Sequence, residues 1–156
     1  GLTKSGRRAS LRPAINRPTP MQIATQLAIF LENRPGALAR VCEALGEAGI
    51  NIQAISASDT VDHTVVRLVL SDPRRAIFLL EEHGMLVVEN EVVLVDGVNR
   101  PGALAAITRC LARARINIEY LYCAVGSKAK TGLLVLRVSN PRKAMTVLAA
   151  ERAAAQ

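Results

Sequence analysis

The chain has 156 residues, half of them apolar, with a net charge of +7 and a mean hydropathy of +0.23. That length suits one or two small domains with cores of their own, and no apolar run approaches the ~18 residues that a membrane-spanning helix needs. The charge is a weaker sign of nucleic-acid binding than its size suggests: residues 1–20 hold Lys4, Arg7, Arg8, Arg12 and Arg17 and no acid, whereas the rest carries 15 basic and 13 acidic residues.

In chain order, residues 1–24 read as a basic, disordered tail rich in Ser, Pro and Arg. The tail has no apolar h-region, so it is not a secretory signal. Arg7-Arg8-Ala9-Ser10 is similar to a basophilic kinase site, a pattern short enough to be common by chance.

Residues 25–90 form a first unit. Leu27 to Leu31 is a short apolar strand. The turn Asn33-Arg34-Pro35-Gly36 follows, and Leu38, Val41, Cys42 and Leu45 then recur at helical spacing up to Gly49. Asn51 to Ala57 and Val61 to Leu70 are β-rich runs around a turn at Ser58-Asp59. Pro73 opens a second helix, and Met85 to Val88 is a fourth strand. The order is β-α-β-β-α-β, an α+β ferredoxin-like plan with both helices on one face of an antiparallel sheet.

Residues 91–150 repeat that unit. Asn33-Arg34-Pro35-Gly36-Ala37-Leu38-Ala39 returns as Asn99-Arg100-Pro101-Gly102-Ala103-Leu104-Ala105, and Ile50-Asn51-Ile52 returns as Ile116-Asn117-Ile118, both 66 positions on. Ser71-Asp72-Pro73-Arg74-Arg75 returns as Ser139-Asn140-Pro141-Arg142-Lys143 at an offset of 68, so a longer hairpin loop is expected between Thr60 and Thr131. After Leu148 the chain favours helix, so the second unit has no fourth strand of its own, and residues 151–156 form a short tail.

The repeated turn admits two readings. As an N-cap, Asn33 would accept from the Gly36 N–H, and Pro35 near the helix start would give up an N–H that is unpaired anyway. Alternatively, the same turn is a bare helix N-terminus with free donors, suited to a carboxylate or another anion, where Gly36 lets another molecule approach closely.

These residues resemble the ACT domain, a βαββαβ module that binds amino acids. The likeness lies in the strand Leu27–Leu31, the turn Asn33-Arg34-Pro35-Gly36, the helix ending at Gly49 and Ile50-Asn51-Ile52, and again in Val92–Val95, Asn99-Arg100-Pro101-Gly102 and Ile116-Asn117-Ile118. It covers about residues 25–150 and is strongest to tandem ACT proteins with no attached enzyme. It implies a free amino acid as ligand, held where the turn of one unit meets the second strand of a neighbour. The implied ligand-binding residues are Asn33, Arg34, Pro35, Gly36, Ala37, Leu38, Asn51 and Ile52, with Asn99, Arg100, Pro101, Gly102, Ala103, Leu104, Asn117 and Ile118. It implies no catalytic residue, no cofactor and no metal. The chain departs from some members of the family at Leu31 and Gly97, where they carry a polar side chain, and at Tyr120 and Tyr122, where the first unit has Ala54 and Ser56.

Other functions fit less well. His63 and His83, the only histidines, lie outside any nucleophile motif, and there is no glycine-rich phosphate loop. An RNA-binding sheet needs stacking aromatics, and this chain is 3% aromatic. The serious alternative is a regulatory subunit acting in trans on an amino-acid biosynthetic enzyme, as acetolactate synthase small subunits begin with a similar unit. Cys42, Cys110 and Cys123 are odd in number and lack CxxC spacing, which suits a reducing compartment and a cytoplasmic protein.

Assembly can also be read from the strands. Val65 and Val69 face away from Val66, Leu68 and Leu70, and Val135 faces away from Leu134 and Leu136, so both sheet faces need cover. The helices supply one side, and a second sheet is expected on the other, from the same chain or from a homodimer. Glu89-Asn90-Glu91 spans only about 10 Å, so the two second strands cannot pair within one chain. Met85–Val88 and Val92–Val95 must then lie close together, and the former is expected in the second unit's vacant fourth-strand position.

Overall fold

The computed structural model describes residues 21–97 and 99–155. Its elements run β1 (Met21–Glu32), α1 (Ala37–Glu47), β2 (Ile52–Asp59), β3 (His63–Leu70), α2 (Pro73–Glu82), β4 (Val87–Asp96), α3 (Ala103–Arg113), β5 (Ile118–Ala124), β6 (Leu133–Val138) and α4 (Pro141–Ala154). All six strands lie in one antiparallel sheet of order β2-β3-β1-β4-β6-β5. The two βαββαβ-like units therefore share a sheet, and the α+β ferredoxin-like expectation holds.

The units are joined more intimately than the sequence suggests. β1 starts at Met21 rather than Leu27, so residues 21–24 belong to the sheet and not to the basic tail. Residues 1–20, with the Arg7-Arg8-Ala9-Ser10 pattern, lie outside the described residues. The expected fourth strand of unit one and first strand of unit two are one continuous strand, β4. β1 and β4 pair from Met21↔Val95 to Ile29↔Val87. Thr25 lies opposite Glu91, its own counterpart 66 positions on, so a pseudo-twofold axis passes through that pair.

This symmetry corrects one expectation. Unit two does lack a fourth strand, since α4 runs on to Ala154, past the expected boundary at 150. The vacant position beside β4 is filled by Met21–Gln26 of β1, not by Met85–Val88, whose Val87–Val88 segment pairs with β1 as unit one's own fourth strand. As expected, β2 and β5 are not paired with each other; they form the two outer edges of the sheet.

Period-two alternation places the odd-numbered residues of β1 and β4 against the helices. Leu27, Ile29, Val41, Leu45, Val66, Leu68, Ala76 and Leu80 make unit one's core, each fully buried. Val93, Val95, Leu111, Leu134, Leu136 and Ala144 make unit two's, likewise fully buried. Each large side chain contributes about 1.5–3 kcal/mol relative to exposure. The expected turn at Ser58-Asp59 falls instead at Thr60–Asp62, with Val61 94% exposed. The longer loop of unit two is present at residues 125–132.

Among the described residues no second sheet lies over the helix-free face, so of the two covers expected there the homodimer is the one still open. Val69, Val92, Leu94 and Val135 are at most 4% exposed there, and the described residues form one sheet. Their cover includes Ala24, Ala54, Leu133 and Tyr122, drawn from the sheet itself. The coiling of a twisted sheet brings such residues of separate strands together.

Candidate functional site

The four helices begin in two ways. At α2, Pro73 is the first residue and Asp72 is the N-cap, its Oδ1 accepting from the Arg75 N–H at 3.1 Å. At α4, Asn140 caps in the same way, accepting from the Lys143 N–H at 3.1 Å. These are conventional Asx-Pro starts, in which the side chain satisfies a donor that the helix cannot.

The repeated Asn-Arg-Pro-Gly turn does neither. The N-cap of α1 is Gly36 (φ +86°) and that of α3 is Gly102 (φ +82°), both left-handed and both without a side-chain cap. The expectation that Asn33 caps the helix is therefore wrong. Gly36 turns the chain sharply, and the helix begins at Ala37, too far along for the Asn33 side chain to serve as its cap. Ala37 N–H reaches back to the Arg34 carbonyl at 3.4 Å and Arg40 N–H to the Gly36 carbonyl at 3.1 Å. Between them lie the N–H groups of Leu38 and Ala39, which have no acceptor within the helix. In unit two the corresponding bonds are Ala103 to Arg100 (3.2 Å) and Ala106 to Gly102 (3.0 Å), around Leu104 and Ala105. Aligned peptide dipoles add partial positive charge at both points.

The two turns are not identical in surroundings. In unit one the Asn33 N–H donates to the Asp62 carbonyl at 3.2 Å, and Arg34 pairs with Glu32 at 2.7 Å in the open. A Cβ on Gly36 would lie 3.9 Å from Arg40 Nη1, so a guanidinium stands beside this helix start. In unit two the long hairpin reaches the turn: Asn99 Nδ2 donates to the Ala129 carbonyl, and the Gly97 N–H donates to the Gly132 carbonyl at 2.9 Å.

The remaining sequence candidates fall into place around these starts. Asn33, Arg34, Pro35 and Gly36 are exposed, as are Asn99, Arg100, Pro101 and Gly102. Ala37 and Ala103 are each only 6% exposed, so they offer backbone rather than side chain, whereas Leu38 and Leu104 stand about 40% exposed beside the turns (38% and 40%). Ile52 and Ile118 are half-buried against their own cores. Asn51 and Asn117 are exposed, and each exchanges backbone bonds with a serine before the next helix: Asn51 N–H to Ser71 Oγ (2.9 Å) and Asn117 N–H to Ser139 Oγ (3.1 Å).

The antiparallel order fixes which of them share an end of the sheet. The Asn33–Gly36 turn and Asn117–Ile118 lie at one end, and the Asn99–Gly102 turn and Asn51–Ile52 lie at the other. Each end thus combines the turn of one unit with the second strand of the other. Along a flat sheet three strand spacings, about 14 Å, would separate them.

Neither histidine forms part of a titratable cluster. His83 Nδ1 bonds the Leu79 carbonyl at 2.7 Å at the end of α2, and the His63 carbonyl accepts from Thr60 in the hairpin. Burial pushes the Cys110 thiol up, helped by Glu151 and opposed by Arg113. Among the described residues no helix is long and apolar enough to cross a membrane, and no group of His, Cys, Asp and Glu could hold a metal ion.

One cluster escaped the sequence reading. On the helix-free face the Gln26 side chain is fully buried. Its Nε2 donates to the Tyr120 hydroxyl at 2.6 Å, and the Tyr122 hydroxyl donates to its Oε1 at 2.8 Å. Arg67 lies over the Tyr120 ring, 4.1 Å from its centroid. Burial pushes the Tyr122 phenol up to about 12, with Tyr120 adding to the shift and Arg67 opposing it. The only legible signal was the replacement of Ala54 and Ser56 by Tyr120 and Tyr122 between the copies.

Comparison with known proteins agrees with this architecture. The family model for an ACT domain pair matches residues 21–154. A crystal structure of a Bacteroides thetaiotaomicron protein is 33% identical, covers 85% of this chain and 90% of its own, and superposes with a TM-score of 0.78. The ligand-free regulatory subunit of aspartate kinase from Thermus thermophilus has the same fold at 17% identity and a TM-score of 0.62, covering 83% of this chain and 97% of its own. The corresponding Thermus flavus subunit, also 17% identical, gives 0.60 over 86% and 96%. None of the curated proteins matches the chain. With its duplicated units, shared sheet and glycine-capped helix starts, the chain belongs to the ACT domain family, as a pair of ACT domains over residues 21–154.

Proposed function

We propose that the protein is a non-catalytic, cytoplasmic regulator that binds a free amino acid at its glycine-capped helix starts. Asn33–Leu38 and Asn99–Leu104 supply the backbone donors for the ligand's carboxylate, and Asn51-Ile52 and Asn117-Ile118 contribute from the neighbouring unit. One observation carries the reading: α2 and α4 are closed by Asp72 and Asn140, whereas α1 and α3 have no side-chain cap. A helix start left with unpaired N–H donors is an anion site. The β2 and β5 edges suit a homodimer joined strand to strand, which light scattering would detect.

The test is a thermal-shift screen of the common amino acids at millimolar concentration. One of them, at about 100 times its dissociation constant, should stabilise the fold by ~2.7 kcal/mol. Flat melting curves across the panel, repeated by calorimetry, would refute amino-acid binding.

A second reading is favoured by extent. The Thermus thermophilus chain that is matched over 97% of its length is a regulatory subunit of aspartate kinase. By that likeness this protein would act in trans on an amino-acid biosynthetic enzyme, and a pull-down recovering a catalytic partner would distinguish the two.

A further inference from the structure

The Gln26 cluster joins residues that are far apart along the sheet. Gln26 ends the stretch of β1 that fills unit two's fourth-strand position while its strand continues into unit one; Arg67 is on β3 of unit one, and Tyr120 and Tyr122 are on β5 of unit two. β1 and β5 are three strand spacings apart, and β3 and β5 four, or about 14 and 19 Å if the sheet were flat. Side chains leave a sheet roughly perpendicular to it, so contacts of 2.6, 2.8 and 4.1 Å across those spans mean that the sheet bends towards its helix-free face. The helices ride on the outer, convex side of that bend.

The pseudo-twofold shows that the fold itself does not require this arrangement. At offsets of 66 and 68 the counterparts of Gln26, Arg67, Tyr120 and Tyr122 are Val92, Val135, Ala54 and Ser56. That mirror set has no amide, no guanidinium and no phenol, and Val92 and Val135 are simply buried as apolar residues. One copy of the sheet thus packs with valine and alanine where the other carries a buried polar network. Buried polar groups specify one arrangement, because only the correct geometry satisfies them all.

We propose that Gln26, Arg67, Tyr120 and Tyr122 form a latch between the two ACT units, which fixes the bend of the shared sheet and thereby the angle between the helix pairs. Closed, it holds α1 and α3 apart on the convex side. Released, the sheet flattens and the two outer helices approach. A ligand that binds the two angles unequally shifts the latch, and the latch in turn changes that ligand's affinity. The geometry holds whichever ligand the helix starts take, so it can fail or stand independently of the amino-acid reading.

The experiment measures the angle directly. Glu43 and Arg109 are exposed counterparts on α1 and α3. Nitroxides are placed at Glu43→Cys and Arg109→Cys, with Cys42 and Cys123 changed to Ser and buried Cys110 retained. Pulsed electron resonance on the full chain then gives the interhelix distance. Gln26→Val, which copies Val92, should move the distribution to shorter distances. The volume-preserving pair Tyr120→Phe with Tyr122→Phe should do the same, while Ser56→Ala on the mirror side leaves it in place. A merely structural cluster would lower the melting temperature of these variants without moving the distance. That outcome, in either folded variant, overturns the proposal.

Discussion

The two helices that begin with Gly36 and Gly102 and the two that begin after Asp72 and Asn140 face the same physical problem. Each has first-turn N–H groups with no partner inside the helix. α2 and α4 meet it locally, with a carboxylate or amide one residue ahead of a proline. α1 and α3 use a left-handed glycine that re-aims the chain but offers no side-chain acceptor. Both solutions were duplicated together, so the contrast is a property of the ancestral unit. It teaches that a helix start can be closed by a side chain or left without one, and that neighbouring residues of similar composition can do either.

The sharpest way to break this contrast is Gly36→Val. At φ +86° an L residue is strained whatever the space around it, and the cost should be about 1–2 kcal/mol in urea denaturation. The same variant should abolish amino-acid binding at that start. Next in size, Asp72→Ala and Asn140→Ala should each cost about 1 kcal/mol, the usual value of a lost cap, while leaving ligand affinity unchanged. Asn33→Ala should cost less than about 0.5 kcal/mol, as for an exposed side chain away from a cap, yet weaken the ligand. Equal losses of stability for Asn33→Ala and Asp72→Ala would erase the distinction.

A separate effect concerns pH and contrasts the two copies of the helix-free face. The Tyr122 phenol ionises at about 12 rather than its ordinary 10. A raised acid favours the neutral form in the folded state, so its contribution is fully present below pH 10 and is lost as pH rises through about 12. Urea melts of the native chain and Tyr122→Phe should therefore converge over that window. Absorbance titration should show a phenolate step near 12 that the variant lacks.

Much of the fold was legible in the sequence because duplication makes a weak pattern readable twice. The β-α-β-β-α-β order followed from apolar spacing, the missing fourth strand from the helix-favouring stretch after Leu148, and the longer second hairpin from the change of offset from 66 to 68. The first strand was cut short because only Leu27 to Leu31 form an apolar run; Gln22, Thr25 and Gln26 are polar and sit opposite Leu94, Glu91 and Asn90, in a pairing that depends on the other unit. The capping role given to Asn33 failed because spacing does not reveal that Gly36 takes a positive φ. The start of α2 was legible through Pro73, because a proline suits the first position of a helix. The union of Gln26 with two tyrosines 94 and 96 positions away depends on sheet curvature, which no local pattern encodes.

The central claim is that the glycine-capped starts are ligand sites and the Asx-capped starts are not. Amide nuclear magnetic resonance on the uniformly labelled chain tests it most directly, by titrating the amino acid that gives the largest thermal shift. The account predicts saturable shifts at the amides of Gly36, Leu38 and Ala39, or of Gly102, Leu104 and Ala105, with Arg75 and Lys143 unmoved. Saturable shifts confined to residues away from both glycine-capped starts, or equal at all four helix starts, would contradict it.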